Sequence, residues 1–122
     1  FNNKSEILFI AKGVNSLLGQ AQIWFTSNGA IVEADIWIND DYQLDATGNP
    51  ESNEIDLESA VLHELGHWLP LGHMNNPNAE MYAVLGAGTR KVKKNDDDKA
   101  GNEPQHVTVT PTTGIFLPIV TR

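Results

Sequence analysis

The chain has 122 residues, of which 40% are hydrophobic and 20% charged, a balance typical of one small globular domain. Its net charge of −8 argues against a nucleic-acid partner, because the phosphate backbone would be repelled. The absence of cysteine excludes thiol nucleophiles, disulfides and thiolate metal sites, and no apolar run approaches the roughly 18 residues that a membrane span requires.

The first half of the chain predicts three β-strands. The candidates are one short apolar run and two segments of alternating polarity, at residues 7–11, 20–26 and 31–39. In the third segment the side chains expected to share one face are Val32, Ala34, Ile36 and Ile38. Asn28-Gly29 predicts a hairpin turn between the second and third strands. A helical stripe over residues 7–18 is the rival interpretation, which Gly13 disfavours.

One helix is predicted in the middle of the chain. Residues 40–56 are acidic and rich in turn-forming residues, so they predict a loop. Asp56 at the end of this loop is a good N-cap for a helix that begins near Leu57, and Pro70 would end that helix. The stripe expected to face the sheet consists of Leu57, Val61, Leu65 and Trp68.

The last third of the chain carries weaker signals. Residues 75–94 are predicted to be irregular, and the acidic residues 95–98 can cap a short second helix. We predict one domain over residues 1–106, followed by a C-terminal tail or linker at residues 107–122. The apolar end of this tail is open to three interpretations: an added strand, a linker or a docking segment.

Three histidines and a glutamate stand at metal-ligand spacing in the segment His63-Glu-Leu-Gly-His67-Trp-Leu-Pro-Leu-Gly-His73. His63 and His67 are one helical turn apart, so their imidazoles project side by side and can reach a single ion. If the chain then turns back, His73 completes a set of three neutral ligands that leaves zinc a fourth position open for water. Glu64 adjoins this face and can take a proton from that water.

This segment resembles the motif H-E-x-x-H-x-x-G-x-x-H of the metzincin zinc endopeptidases, and within them of the matrixins, especially short bacterial members. Three weaker segments agree with it: residues 33–39, Asn78-Ala-Glu-Met81-Tyr82 and residues 97–101. They resemble the strand before the active-site loop, the Met-turn and the start of the C-terminal helix. The resemblance implies an α+β fold, with a twisted sheet packed on the active-site helix, a Met-turn and a short C-terminal helix.

The resemblance also implies a function, a zinc-dependent endopeptidase that hydrolyses peptide bonds through a metal-activated water. One catalytic Zn²⁺ would bind His63, His67 and His73, with Glu64 as general base and Met81 as structural support of the site. A protein or peptide substrate would lie extended along an edge strand, and residues 83–90 would wall the pocket after the scissile bond. Relatives of this kind are exported, so an extracellular location is expected, with a further N-terminal strand and helix.

Two departures from the family pattern keep alternatives open. Pro70 replaces the glycine that turns the chain towards the third histidine, so either Gly72 makes the turn or His73 is misplaced. Glu80 stands before Met81, where the family is usually apolar. One alternative is therefore a zinc-binding module of the same fold that has lost catalysis and acts in binding or structure. Another is a different zinc hydrolase whose third ligand is a downstream glutamate, Glu80 or Glu103.

The loop before the helix holds an acidic cluster: Asp40, Asp41, Asp45, Glu51 and Glu54. Carboxylates are ligands that Ca²⁺ prefers. The cluster lacks the spacing of a calcium-binding loop. A solvated acidic loop is therefore the favoured interpretation, and a Ca²⁺ site is the alternative.

Overall fold

A computed structural model describes residues 1–92 and the backbone of one strand near the C-terminus. The elements are β1 Ile7–Ile10, β2 Gly19–Phe25, β3 Ile31–Asn39, β4 Leu44–Asp45, β5 Ile55–Asp56, α1 Leu57–Trp68, β6 Val84–Leu85 and β7 Ile115–Thr121. The predicted α+β class is confirmed. The helix expected at residues 95–101 lies outside the described residues, as does the boundary expected near residue 106. No helix among the described residues has the length and apolar character of a membrane span.

The main sheet has five strands in the order β1-β3-β2-β7-β6. β1 runs parallel to β3, and β2 runs antiparallel to both β3 and β7. At the far edge β6 runs parallel to β7. The apolar C-terminal segment forms β7, so of its three interpretations the added strand is the one that the structure supports. A separate two-stranded sheet, β4 beside β5, lies within the acidic loop.

The hairpin between β2 and β3 forms where Asn28-Gly29 predicts it, with Gly29 in the left-handed region at a φ of 84°. Ala34, Ile36 and Ile38 are buried, as the alternation predicts. The prediction is wrong for Val32, which is 44% exposed. The reason is a bulge: the register of the strand pair shifts between Trp24 and Phe25, so Val32 has no partner on β2.

The rival helix over residues 7–18 does not form, because Asn39 at the end of β3 fixes a different backbone there. Its side-chain amide donates to the carbonyls of Gly13 and Leu17, and its Oδ1 accepts from the Lys12 N–H. Gly13 has a φ of 86°, which a helix would not permit. The fully buried Asn39 therefore holds the connection from β1 to β2 against the sheet.

The helix α1 begins and ends close to where the sequence predicts. The Asp56 carboxylate caps its first turn by accepting a 3.0 Å hydrogen bond from the Ser59 N–H. The predicted stripe packs half-buried against the core, which is built around Leu18, Ile36 and Ile38 of the sheet side. The fully buried residues of α1 include His63, Glu64 and His67. The helix thus buries a polar face as well as an apolar one.

Candidate metal centre

Three histidine rings meet where α1 ends and the chain returns. The His63 and His67 Nε2 atoms are 3.1 Å apart, and the His73 ring centre lies 5.2 Å and 5.0 Å from those of His63 and His67. Zinc bound at about 2.0–2.1 Å to each nitrogen would set tetrahedral ligand atoms about 3.3 Å apart. The His63–His67 distance is close to this value, and one ligand nitrogen from each of the three histidines lies within 4.8 Å of the others, so the group could hold one ion. Within residues 1–92 this is the only group of three or more potential ligands that converge in this way.

Backbone carbonyls orient two of these rings. The Nδ1 atom of His63 lies 2.8 Å from the Glu80 carbonyl oxygen, and that of His67 lies 2.7 Å from the Leu71 carbonyl oxygen. Because a carbonyl only accepts, each Nδ1 carries the hydrogen and donates it. The lone pair of each ring is then on Nε2, where the rings converge. This is the support expected around metal-binding imidazoles.

Burial keeps these imidazoles neutral. Desolvation lowers the pKa of His63 from 6.5 to about 3 and that of His67 from 6.5 to about 4. The pKa of the more exposed His73 is lowered for the same reason. Neutral imidazole is the form that binds a metal. The donor set and its hydrogen bonds therefore suit zinc.

Glu64 and Met81 are both buried. Glu64 is fully buried on α1, next to His63 in the chain. Met81 is 2% exposed and packs directly on Gly66, so that a Cβ added at Gly66 would overlap the Met81 Sδ and come within 2.9 Å of its Cε. The Met81 side chain thus fits against the part of α1 that lies between the two helical histidines. A glycine inside a helix is the sequence signal for such a close approach.

The turn from α1 to His73 follows directly on the end of the helix. The Leu69 and Leu71 N–H groups both donate to the Gly66 carbonyl and close this turn. His73 reaches the rings of His63 and His67, so Pro70 in place of the family glycine does not displace the third histidine.

An ion-pair cluster that sequence reasoning missed ties the segment after Met81 to the start of α1. The Arg90 guanidinium lies 2.8 Å from the Asp56 Oδ1 and 2.5 Å from the Glu58 Oε2. The next residue, Lys91, donates its N–H to the Ser59 Oγ at 2.6 Å. Both carboxylates raise the pKa of Arg90, with Glu58 having the larger effect. Arg90 and Lys91 thus fix the return of the chain across the first turn of α1.

The other candidate ligands contribute differently. Glu80 supplies its backbone carbonyl to His63, and its carboxylate is not part of the ligand group. Glu103 lies outside the described residues. In the acidic loop, Asp45 accepts from Thr47, Gly48 and Asn49, and the Thr47 hydroxyl in particular lowers its pKa. These bonds hold the loop itself, and they do not show a calcium site.

Comparison with known proteins agrees with this geometry. The family model for matrixins, the M10 peptidases, matches residues 4–105. The chain belongs to the matrixin family. This matrixin is 46% identical over 68 residues to Metalloendoproteinase 1-MMP of Arabidopsis thaliana, covering 56% of this chain and 18% of that protein. It is 44% identical over 57 residues to Metalloendoproteinase 1 of Glycine max, covering 47% of this chain and 19% of that protein. No solved structure gave a significant match. The matched part thus spans about a fifth of these relatives.

Proposed function

We propose that this chain is the catalytic part of a zinc-dependent endopeptidase that hydrolyses peptide bonds in proteins or peptides. The observation that carries the proposal is the convergence of two oriented imidazoles, His63 and His67, with His73. Glu64, which follows His63 in the chain, is fully buried on the same helix. Family membership supports it, since both relatives described above are named as metalloendoproteinases.

His63, His67 and His73 would hold the zinc. When bound, zinc supplies a Lewis acid that polarises the scissile carbonyl and lowers the pKa of a water. Glu64 takes a proton from the attacking water at a carboxylate oxygen and then delivers it to the leaving nitrogen. The water oxygen bonds to the carbonyl carbon and the C–N bond breaks, so the products are a carboxylic acid and an amine. Met81 supports α1 from the side of Gly66.

Cleavage of an unfolded protein by the zinc-loaded chain tests this function, with Glu64→Gln as the matched control. The variant keeps the size of the side chain but cannot accept the proton, so the rate is expected to fall by at least about a hundredfold. Equal zinc content in both proteins must be verified. Bound zinc without cleavage in either protein would instead support the degenerate binding module. Cleavage that survives the substitution would assign the proton transfer to another group.

A further inference from the structure

The C-terminal strand β7 lies between two elements that belong to different parts of the domain. It runs antiparallel to β2, with Ile115 opposite Ile23 and Ile119 opposite Gly19. On its other side it runs parallel to β6, where Val120 is opposite Val84. It thereby covers the edge of β2 that faces away from β3.

The position of β7, along the edge of β2, is one in which an extended peptide substrate could also pair. A peptide binds a sheet edge by adding a strand through backbone hydrogen bonds. In the described part of the chain, β7 separates the edge of β2 from β6, which begins three residues after Met81. The helix α1, which carries His63 and His67, also contacts β7. A peptide that pairs with β2 next to α1 would need the place that β7 occupies.

We propose that β7 is an intramolecular occupant of the substrate cleft, which must leave the edge of β2 before a peptide can pair there. The proposal rests on the proposed peptidase function for the identity of the competing strand. The cleft would bind an extended peptide, and residues 115–121 are an extended segment of the chain itself.

The pairing of β7 is suited to exchange. Pro118 stands opposite Gln20 and has no N–H to donate to either neighbour. Only two residue pairs join β7 to β6. Five residue pairs join β7 to β2, and Pro118 lies within that pairing. The strand is also covalently attached, and a tethered segment competes at an effective concentration on the order of millimolar. A free peptide at micromolar concentration then competes poorly until β7 is released.

A reversible disulfide in the full chain tests this proposal. The residues Gln22 and Phe116 are direct cross-strand partners, and the native chain has no cysteine, so Gln22→Cys with Phe116→Cys creates a single lock between β2 and β7. We expect the oxidised protein to cleave peptides at least about tenfold more slowly than the same protein after reduction. The matched control combines Gln22→Cys with Asp35→Cys, which locks β2 to β3 instead. Its activity should not depend on oxidation.

A second variant opens the cleft instead of closing it. Leu117→Pro removes another N–H from β7, at the position opposite Ala21. The loss of about one hydrogen bond should lower KM about fivefold while kcat stays the same. If both the β7 lock and this substitution leave cleavage unchanged, β7 does not occupy the substrate path and the proposal is wrong.

A binding measurement separates this proposal from the peptidase function. In a Glu64→Gln background, a fluorescent extended peptide should bind the reduced lock variant and fail to bind the oxidised one, as followed by anisotropy. Redox-dependent binding in that background, without cleavage when Glu64 is intact, would support the strand exchange and contradict the peptidase function. Cleavage together with redox-independent binding would support the peptidase function and contradict the strand exchange.

Discussion

Single side chains decide how closely the Met81 segment approaches α1. Gly66→Ala places a methyl group where the Met81 Sδ lies, so we expect a loss of about 1–3 kcal/mol in the free energy of unfolding, together with weaker zinc binding. Urea denaturation measures the free energy of unfolding, and a zinc titration measures the affinity for zinc. Without the clash, alanine in a helix would stabilise the chain relative to glycine by about 1 kcal/mol.

Gly72→Ala is the matched control, because nothing lies within 4 Å of a Cβ added there. Its free energy of unfolding should change by less than about 0.5 kcal/mol. In the double variant Gly66→Ala with Met81→Ala, much of the clash is removed, so the two losses should not add. Additive losses would show that the two residues do not contact each other.

The buried histidines predict how the stability of the metal-free chain depends on pH. In the unfolded chain His63 and His67 bind protons near pH 6.5, whereas in the folded chain their pKa values are about 3 and about 4. Because the unfolded chain then binds protons that the folded chain does not, the free energy of unfolding is highest above pH 6.5 as far as these two groups are concerned. It falls as the pH is lowered towards about 3. Urea unfolding with a chelator, from about pH 7 to about pH 5, should show falling stability before the carboxylates titrate. A flat profile over this range would contradict the burial of both imidazoles.

The residue pattern alone predicts which three histidines come together, because a spacing of four on a helix fixes the relative placement of two of them. The carbonyls of Glu80 and Leu71, which orient the rings, could not be predicted, since every residue has a carbonyl and only the folded path selects one. The partner of Arg90 was equally hidden, because 34 residues separate it from Asp56.

The start of α1 depends on Asp56, which serves both as its cap and as a partner of Arg90. Asp56→Ala removes both roles and should destabilise the chain by at least about 1 kcal/mol. Asp56→Asn keeps an oxygen for the Ser59 N–H and should destabilise less. Equal effects of the two substitutions in urea denaturation would show that the cap contributes little.

The elements with a strong local pattern are the ones that sequence reasoning located: the strands near residues 7–11, 20–26 and 31–39, and α1. The bulge that exposes Val32 was missed, since it arises from the pairing of two strands rather than from either one. The strand β7 could be named only as one of three interpretations, because its partners β2 and β6 are distant in the chain.

For the whole molecule, zinc binding and folding are expected to be linked, because the three ligands converge only when α1, the turn that follows it and the carbonyls of Leu71 and Glu80 are all in place. The net charge of −8 further favours a cation over an anion as ligand. The proposed peptidase function depends on the three histidines holding a single ion.

An equilibrium zinc titration against a chromophoric chelator tests that claim most directly, with His73→Ala and Glu80→Ala alongside the native chain. We predict one zinc per chain, an affinity at least about a hundredfold weaker in His73→Ala, and little change in Glu80→Ala, because alanine keeps the carbonyl that accepts from His63. Full affinity in His73→Ala, or zinc lost in Glu80→Ala, would contradict the three-histidine centre.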